Sequence, residues 1–260
     1  MACLALHVIS ADWTLTAEWG RVTRMTAKTK NNDASERNDL PNYDVAVMGR
    51  GNSAALTALA LADPGFSVWA ETAQALAENM AKSESVATWQ RVLAISPGAR
   101  RALEALGVWQ RLEVGHAPVV DIAVGGSNDR DLPLRFAAGT GPNQPVDILS
   151  HIVSVADLTA AIAAGLRACT AFTEQAQASE TTSAPSEFDP RTGIVTFSDG
   201  KQIRTTLLVD ASGADSIWRQ RAGISCMHHD YKCAALTAEI SLAAPHGQVA
   251  RQIFLPDGPL

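Results

Sequence analysis

The chain has 260 residues, of which 47% are apolar and 18% charged, and its formal net charge is −6. That length carries one large domain or a domain with a second lobe, and so apolar a composition excludes general disorder. It has no basic tract of the kind a nucleic-acid partner requires, and no apolar run near the roughly 18 to 20 residues of a membrane-spanning helix.

Residues 1–42 read as a disordered N-terminal extension. The opening Met1–Ser10 is apolar, but no Lys or Arg precedes it and Asp12 follows at once. That pattern argues against a secretory signal and for a cytoplasmic protein. Residues 27–41 are polar, mixed in charge and without period, and Met25 offers a second start.

The pattern changes at Tyr43. Asp44–Met48 is a short apolar run ending in Gly49, as in a buried parallel strand. Residues 53–62 are rich in Ala and Leu and predict a helix that stops before Asp63-Pro64-Gly65, and 66–70 predict a second strand. Strand, glycine turn, helix and strand within about 30 residues make a βαβ unit. Ser96-Pro97 opens a helix through Leu106 that Gly107 closes. Two strands are expected over 119–124 and 132–136, around a turn at Gly126–Asp129. Asp157–Leu166 predicts an amphipathic helix with an acid near its positive end. Residues 174–190 read as a loop. The Ser198-Asp199-Gly200 turn then joins strands at 193–197 and 202–209.

The turn Gly49-Arg50-Gly51-Asn52-Ser53-Ala54 has the spacing G-x-G-x-x-G/A in its expected setting. The first glycine permits the tight turn, the second lets a pyrophosphate approach the backbone, and the third position is small so that helix packs on strand. The diphosphate would lie over amides at the helix N-terminus. Glu71, closing the second strand, is the expected partner of an adenosine ribose hydroxyl, with Thr72 one place on as the alternative.

Other groupings carry less. Cys226, His228, His229 and Cys233 include metal-ligand types but not the paired spacing of a structural zinc site, so no metal is expected. Cys3 and Cys169 are equally scattered, as in a reducing compartment. There is no nucleophile elbow and no ordered catalytic triad. Trp89, Trp109 and Trp218 read as packing groups or as the lining of an aromatic pocket.

Several segments resemble the FAD-dependent aromatic-ring hydroxylases of ubiquinone biosynthesis, relatives of para-hydroxybenzoate hydroxylase. They are YDVAVMGRGNSAALTALALA, RVLAISPGARRALEALGVWQRL, HIVSVADLTAAI, VTFSDGKQIRTTLLVDASGADSIWRQRAGI and IFLPDGPL, in family order. The resemblance implies an α/β fold: a Rossmann-like three-layer FAD/NAD(P)-binding domain from 43–114 and 151–224, and an incomplete β-sheet substrate lobe from 115–150 and 225–260. It implies a monooxygenase in which NADH or NADPH reduces FAD and oxygen is then placed on the ring of a ubiquinone precursor, a prenylated phenol. Association with other ubiquinone-biosynthesis proteins would follow.

By the same resemblance, Arg91 stands for an arginine near the FAD pyrophosphate, and Asp210-Ala211-Ser212-Gly213 stands where the family has Gly-Ala-Asp-Gly. Ser212 and Gly213 are thus expected at the cofactor, with Asp210 as a possible substitute for the missing aspartate. Ala156 replaces a family arginine. Relatives continue past Leu260 into a segment with a Gly-Asp motif, so the resemblance also implies a C-terminal truncation. The alternatives are a non-catalytic relative that keeps a nucleotide-binding lobe, and a flavin reductase or saturase of the wider family.

Overall fold

A computed structural model describes residues 7–9, 40–72, 91–112, 115–126, 133–139, 148–169, 184–232, 238 and 240–255. In chain order the elements are β1 (His7–Ile9), β2 (Asn42–Met48), α1 (Asn52–Ala62), β3 (Val68–Ala70), β4 (Val92–Ile95), α2 (Pro97–Ala105), β5 (Ala117–Val119) and β6 (Asp121–Gly126). They continue with β7 (Leu134–Ala137), β8 (Ser150–Ser154), α3 (Val155–Ala168), β9 (Pro185–Asp189), β10 (Ile194–Phe197), β11 (Gln202–Asp210), α4 (Ile217–Arg221) and β12 (Val249–Phe254). Two compact units result, Met1–Ala81 with Ile162–Cys226 and Lys82–Ala161 with Met227–Leu260.

The first unit is built on a six-stranded sheet of order β3-β2-β11-β10-β9, with β1 beside β11. β2 runs parallel to both β3 and β11. A strand between two parallel neighbours is covered on both faces, which is why Val45, Ala46, Val47 and Met48 are all buried. α1 returns the chain from β2 to β3, burying Ala54, Ala55, Ala58, Leu59 and Ala62. Three small side chains at i, i+1 and i+4 let the helix approach its strands closely. A core of Tyr43, Met48, Trp69, Phe197, Leu208 and Trp218 fills this unit. Trp69 and Phe197 meet edge to face with ring centroids 5.1 Å apart.

The βαβ unit and the β10–β11 hairpin lie where the sequence places them. Two elements of this unit differ from expectation. Pro185–Asp189, read as part of a loop, is an edge strand pairing with β10. Proline is tolerated at the first position of such a strand, and the polar Ser186, Glu187 and Asp189 obscure its period. The extension 1–42, read as disordered, contributes β1, which pairs antiparallel with the end of β11 (His7↔Asp210, Ile9↔Leu208).

The second unit has two three-stranded sheets, β4-β8-β5 and β12-β6-β7. The single strand expected over 119–124 divides between them. β5 ends at Val119 and pairs with β8, while β6 starts at Asp121 and pairs with β7 and β12. Val120 is the crossover: its N–H donates to Gln248 and its carbonyl accepts from Ala138. β7 begins two residues later than expected, and turn residues 127–129 lie outside the described residues. The pairing of β8 with β4 and β5 groups the described residues 91–112 and 151–161 with this unit, whereas the sequence assigns them to the FAD-binding segments.

Helix starts follow local chemistry. The Ser96 hydroxyl accepts the Ala99 N–H at 3.3 Å, with Pro97 at the first helical position of α2. Ser154 accepts the Asp157 N–H at 3.4 Å and starts α3 two residues earlier than the periodicity suggests.

Candidate dinucleotide site

The glycine turn joins β2 to α1 within the first unit. Gly49 has φ +121°, a conformation that L side chains rarely adopt, and a Cβ built there would lie 2.6 Å from the carbonyl oxygen of Ala211. No side chain fits, because the loop after β11 rests directly on the turn. Gly51 differs in both respects. Its φ of −100° and ψ of 178° are ordinary extended backbone, and among the described residues an added Cβ would meet nothing within 4 Å. Gly51 is also the N-cap of α1, which has no side-chain cap and no acid in its first turn. An open backbone surface at an uncapped helix N-terminus suits a diphosphate, through outward amides and a favourable dipole.

Around it, Arg50 and Ser53 are exposed, Asn52 is half-buried and Ala54 is fully buried against the sheet. The Glu71 carboxylate lies at the turn, where its Oε2 accepts the Gly49 N–H at 2.9 Å. Thr72 is wholly buried, and its hydroxyl has no hydrogen-bond partner among the described residues. Of the two alternatives at the end of β3, Glu71 is therefore the residue at the turn. Arg91 lies in the second unit, exposed at the start of β4, its carbonyl accepting the Val155 N–H at 2.8 Å.

The Asp210–Gly213 loop belongs with the glycine turn. Ala211 donates its N–H to Met48 at 2.9 Å, extending the β2–β11 ladder into the loop. The Asp210 carboxylate is occupied internally. Its Oδ1 accepts both the N–H of Ser212, at 3.0 Å, and the Ser212 hydroxyl, while Oδ2 accepts the Ser216 hydroxyl. Ser216 is buried and accepts the Arg219 N–H at 2.9 Å, and the Arg219 guanidinium donates to the carbonyls of Gly213 and Ala214. Ser212 and Gly213 are exposed. Asp210 thus acts within the loop rather than as a direct substitute for the family aspartate.

Sequence reasoning missed a cluster in the second unit. His151, on β8 and 1% exposed, receives a hydrogen bond at its Nε2 from Arg100 Nη1 of α2, at 3.2 Å. A guanidinium only donates, so Nε2 is the acceptor and the ring proton resides on Nδ1. The His151 ring stacks edge-on against His116 and Trp109, at centroid distances of 4.5 and 5.1 Å. Arg100 lies over Trp109 and pairs with Glu104 at 2.7 Å. Burial, then His116 and Arg100, push the His151 pKa below 6.5, with Glu104 opposing. Only the pairing of β8 with β4 and β5 assembles these groups, and no motif announces it.

Unfolded, His151 takes up a proton near pH 6.5, whereas folded it resists until lower pH. The stability is therefore whole above about pH 6.5 and is lost as the pH falls from there through the folded value. The melting temperature should fall between pH 7 and pH 5, and His151→Gln should flatten that slope. An equal slope in the variant would remove His151 as the cause.

Cys226, His228 and His229 are exposed, and Cys233 lies outside the described residues. Among the described residues, no three His, Cys, Asp or Glu side chains converge as metal ligands. None of the described helices is long and apolar enough to cross a membrane.

The fold defines the class as an α/β protein with a parallel βαβ unit in one unit and two three-stranded sheets in the other. No family model matches the chain. The ubiquinone hydroxylase UbiL of Rhodospirillum rubrum is 29% identical over 218 residues, 83% of this chain and 48% of that protein. The human mitochondrial ubiquinone biosynthesis monooxygenase COQ6 is 39% identical over 67 residues, 25% of this chain and 14% of that protein. The p-nitrophenol 4-monooxygenase PnpA of Pseudomonas putida shares the fold with a TM-score of 0.52 at 19% identity, over 71% of this chain and 44% of that one. These likenesses bear out the resemblance to the FAD-dependent ubiquinone-biosynthesis monooxygenases. The chain spans at most about half the length of these curated relatives.

Proposed function

We propose that this chain serves an FAD-dependent monooxygenase that uses NADH or NADPH to hydroxylate the aromatic ring of a ubiquinone precursor. The observation that carries the reading is the open backbone at Gly51, at an uncapped helix N-terminus, beside the Glu71 carboxylate. In this reading the amides from Gly49 to Ala54 hold the FAD diphosphate, and Ser212 and Gly213 border the nucleotide elsewhere along its length. Glu71 does two jobs, as Oε2 fixes Gly49 and the other oxygen accepts from the adenosine ribose. Bound FAD would supply the redox chemistry, taking electrons from the reduced nicotinamide and passing them to oxygen.

The sheet β12-β6-β7 offers a surface suited to a prenylated phenol. By register Ile122, Val124, Leu134, Phe136 and Phe254 share one face, and Leu134, Phe136 and Phe254 are each at least half exposed. A cytoplasmic setting and association with other ubiquinone-biosynthesis proteins belong to the same reading.

The purified protein should be yellow, with about one FAD per chain, and should oxidise NAD(P)H faster when a phenol is added. A colourless protein that gains no thermal stability from FAD would sink the reading, since a true ligand stabilises the folded state by mass action. Ser212 and the exposed Ala156 favour a second reading, a nucleotide-binding relative without hydroxylase activity. Flavin binding without hydroxylated product would point there, and NAD(P)H consumption without product to a flavin reductase.

A further inference from the structure

We infer that Asp210 makes Ser212 a dedicated hydrogen-bond acceptor for a sugar or ribityl hydroxyl of the nucleotide, and not a phosphate contact. The inference rests on the proposed FAD site and concerns the chemistry of one loop within it.

A serine hydroxyl ordinarily has one proton to give and two lone pairs to offer. Here the proton is committed, because the Ser212 hydroxyl donates to Asp210 Oδ1, which also accepts the Ser212 N–H at 3.0 Å. The second carboxylate oxygen is held by the buried Ser216 hydroxyl, whose oxygen in turn accepts the Arg219 N–H, so swinging the carboxylate away would leave the Ser216 proton without this acceptor. Ser212 is exposed on a loop that lies against Gly49, in the same unit as the open surface at Gly51. What it presents outward is lone pairs alone, next to a carboxylate. Phosphate oxygens only accept and would be repelled there, whereas a ligand hydroxyl can donate. The pair thereby does the accepting work of a carboxylate at position 212, while keeping the charge one shell further in.

The test is binding of FAD, riboflavin, ADP and inorganic pyrophosphate to the wild-type chain and to variants, with the ligand-free melting temperature of each. Ser212→Ala should weaken FAD about ten-fold, the worth of one hydrogen bond, and leave pyrophosphate binding unchanged. Ser212→Thr, which keeps the hydroxyl, should restore FAD affinity. Moving the carboxylate outward with Asp210→Gly plus Ser212→Asp should also retain it. A parallel loss for riboflavin would assign the hydroxyl to the ribityl chain, and a parallel loss for ADP would assign it to the adenosine ribose. Undiminished FAD affinity in Ser212→Ala overturns the inference alone, as does an equal loss for pyrophosphate. Wild-type protein that binds no FAD overturns the parent reading and this inference with it. If the double variant does not fold, the alanine and threonine variants still decide.

Discussion

Replacing Gly51 by valine is expected to leave the apoprotein folded while lowering its affinity for FAD about 100-fold, or about 3 kcal/mol. The backbone there is extended, at φ −100°, so a β-branched residue brings no strain, and its Cβ would meet nothing within 4 Å. The remaining cost is the poorer standing of valine as a helix N-cap, about 1 kcal/mol or less. The affinity loss comes from methyl groups standing where a diphosphate must approach the amides. Flavin fluorescence quenching and a ligand-free melting curve measure the two effects separately. Unchanged FAD binding in Gly51→Val would mean that the diphosphate does not lie on this turn.

Gly49→Ala should behave in the opposite way. At φ +121°, with a Cβ 2.6 Å from the Ala211 carbonyl oxygen, alanine can enter only if the β2–α1 turn or the loop after β11 moves. Both are backbone, and both are pinned, by Ala211 N–H to Met48 and by Gly49 N–H to Glu71. Strain and overlap together should cost about 3 to 5 kcal/mol, a large share of the stability of a domain. We expect a much lower melting temperature, or protein found only in the insoluble fraction. A soluble Gly49→Ala variant with an unchanged melting temperature would show that the two loops are not packed together. The contrast matters more than either result, because two glycines of one motif are glycine for different reasons. At 49 a neighbour excludes the side chain, and at 51, on the proposed function, the ligand would.

The parts of the fold that were legible in the sequence are those set by local chemistry. The alanine-rich helix between two short apolar strands, the Ser-Pro opening of α2 and the Ser-Asp-Gly hairpin each carry their own signal within a few residues. What stayed hidden depends on distant partners. β8 and β12 lack the clear apolar alternation of a strand, and they take their places because β4, β5 and β6 offer edges. β9 looks polar because only one of its faces is covered. The crossover at Val120 is marked in the sequence only by Asp121, a lone acid between two apolar stretches, which does not by itself say that one sheet yields to another. The same distinction divides the candidate site. Its glycines and Glu71 were readable from spacing, whereas the triple grip of Asp210 on Ser212 and Ser216 depends on how the loop folds back after β11. His151 was quoted in the sequence only as part of a matching segment, and its unusual surroundings come from α2 and from the residues before β5.

The short strand β1 has a practical side. Met25 is an attractive place to begin a shortened version, since what lies before it looks dispensable. Such a version would discard the backbone that satisfies Leu208–Asp210 along one side. Unmet main-chain donors and acceptors on a sheet margin recruit whatever strand is nearest, including one from another molecule. A trimmed chain is thus apt to clump for reasons unrelated to its core, and the loop that begins at Asp210 would be among the first parts of the candidate site to be buried in the clump.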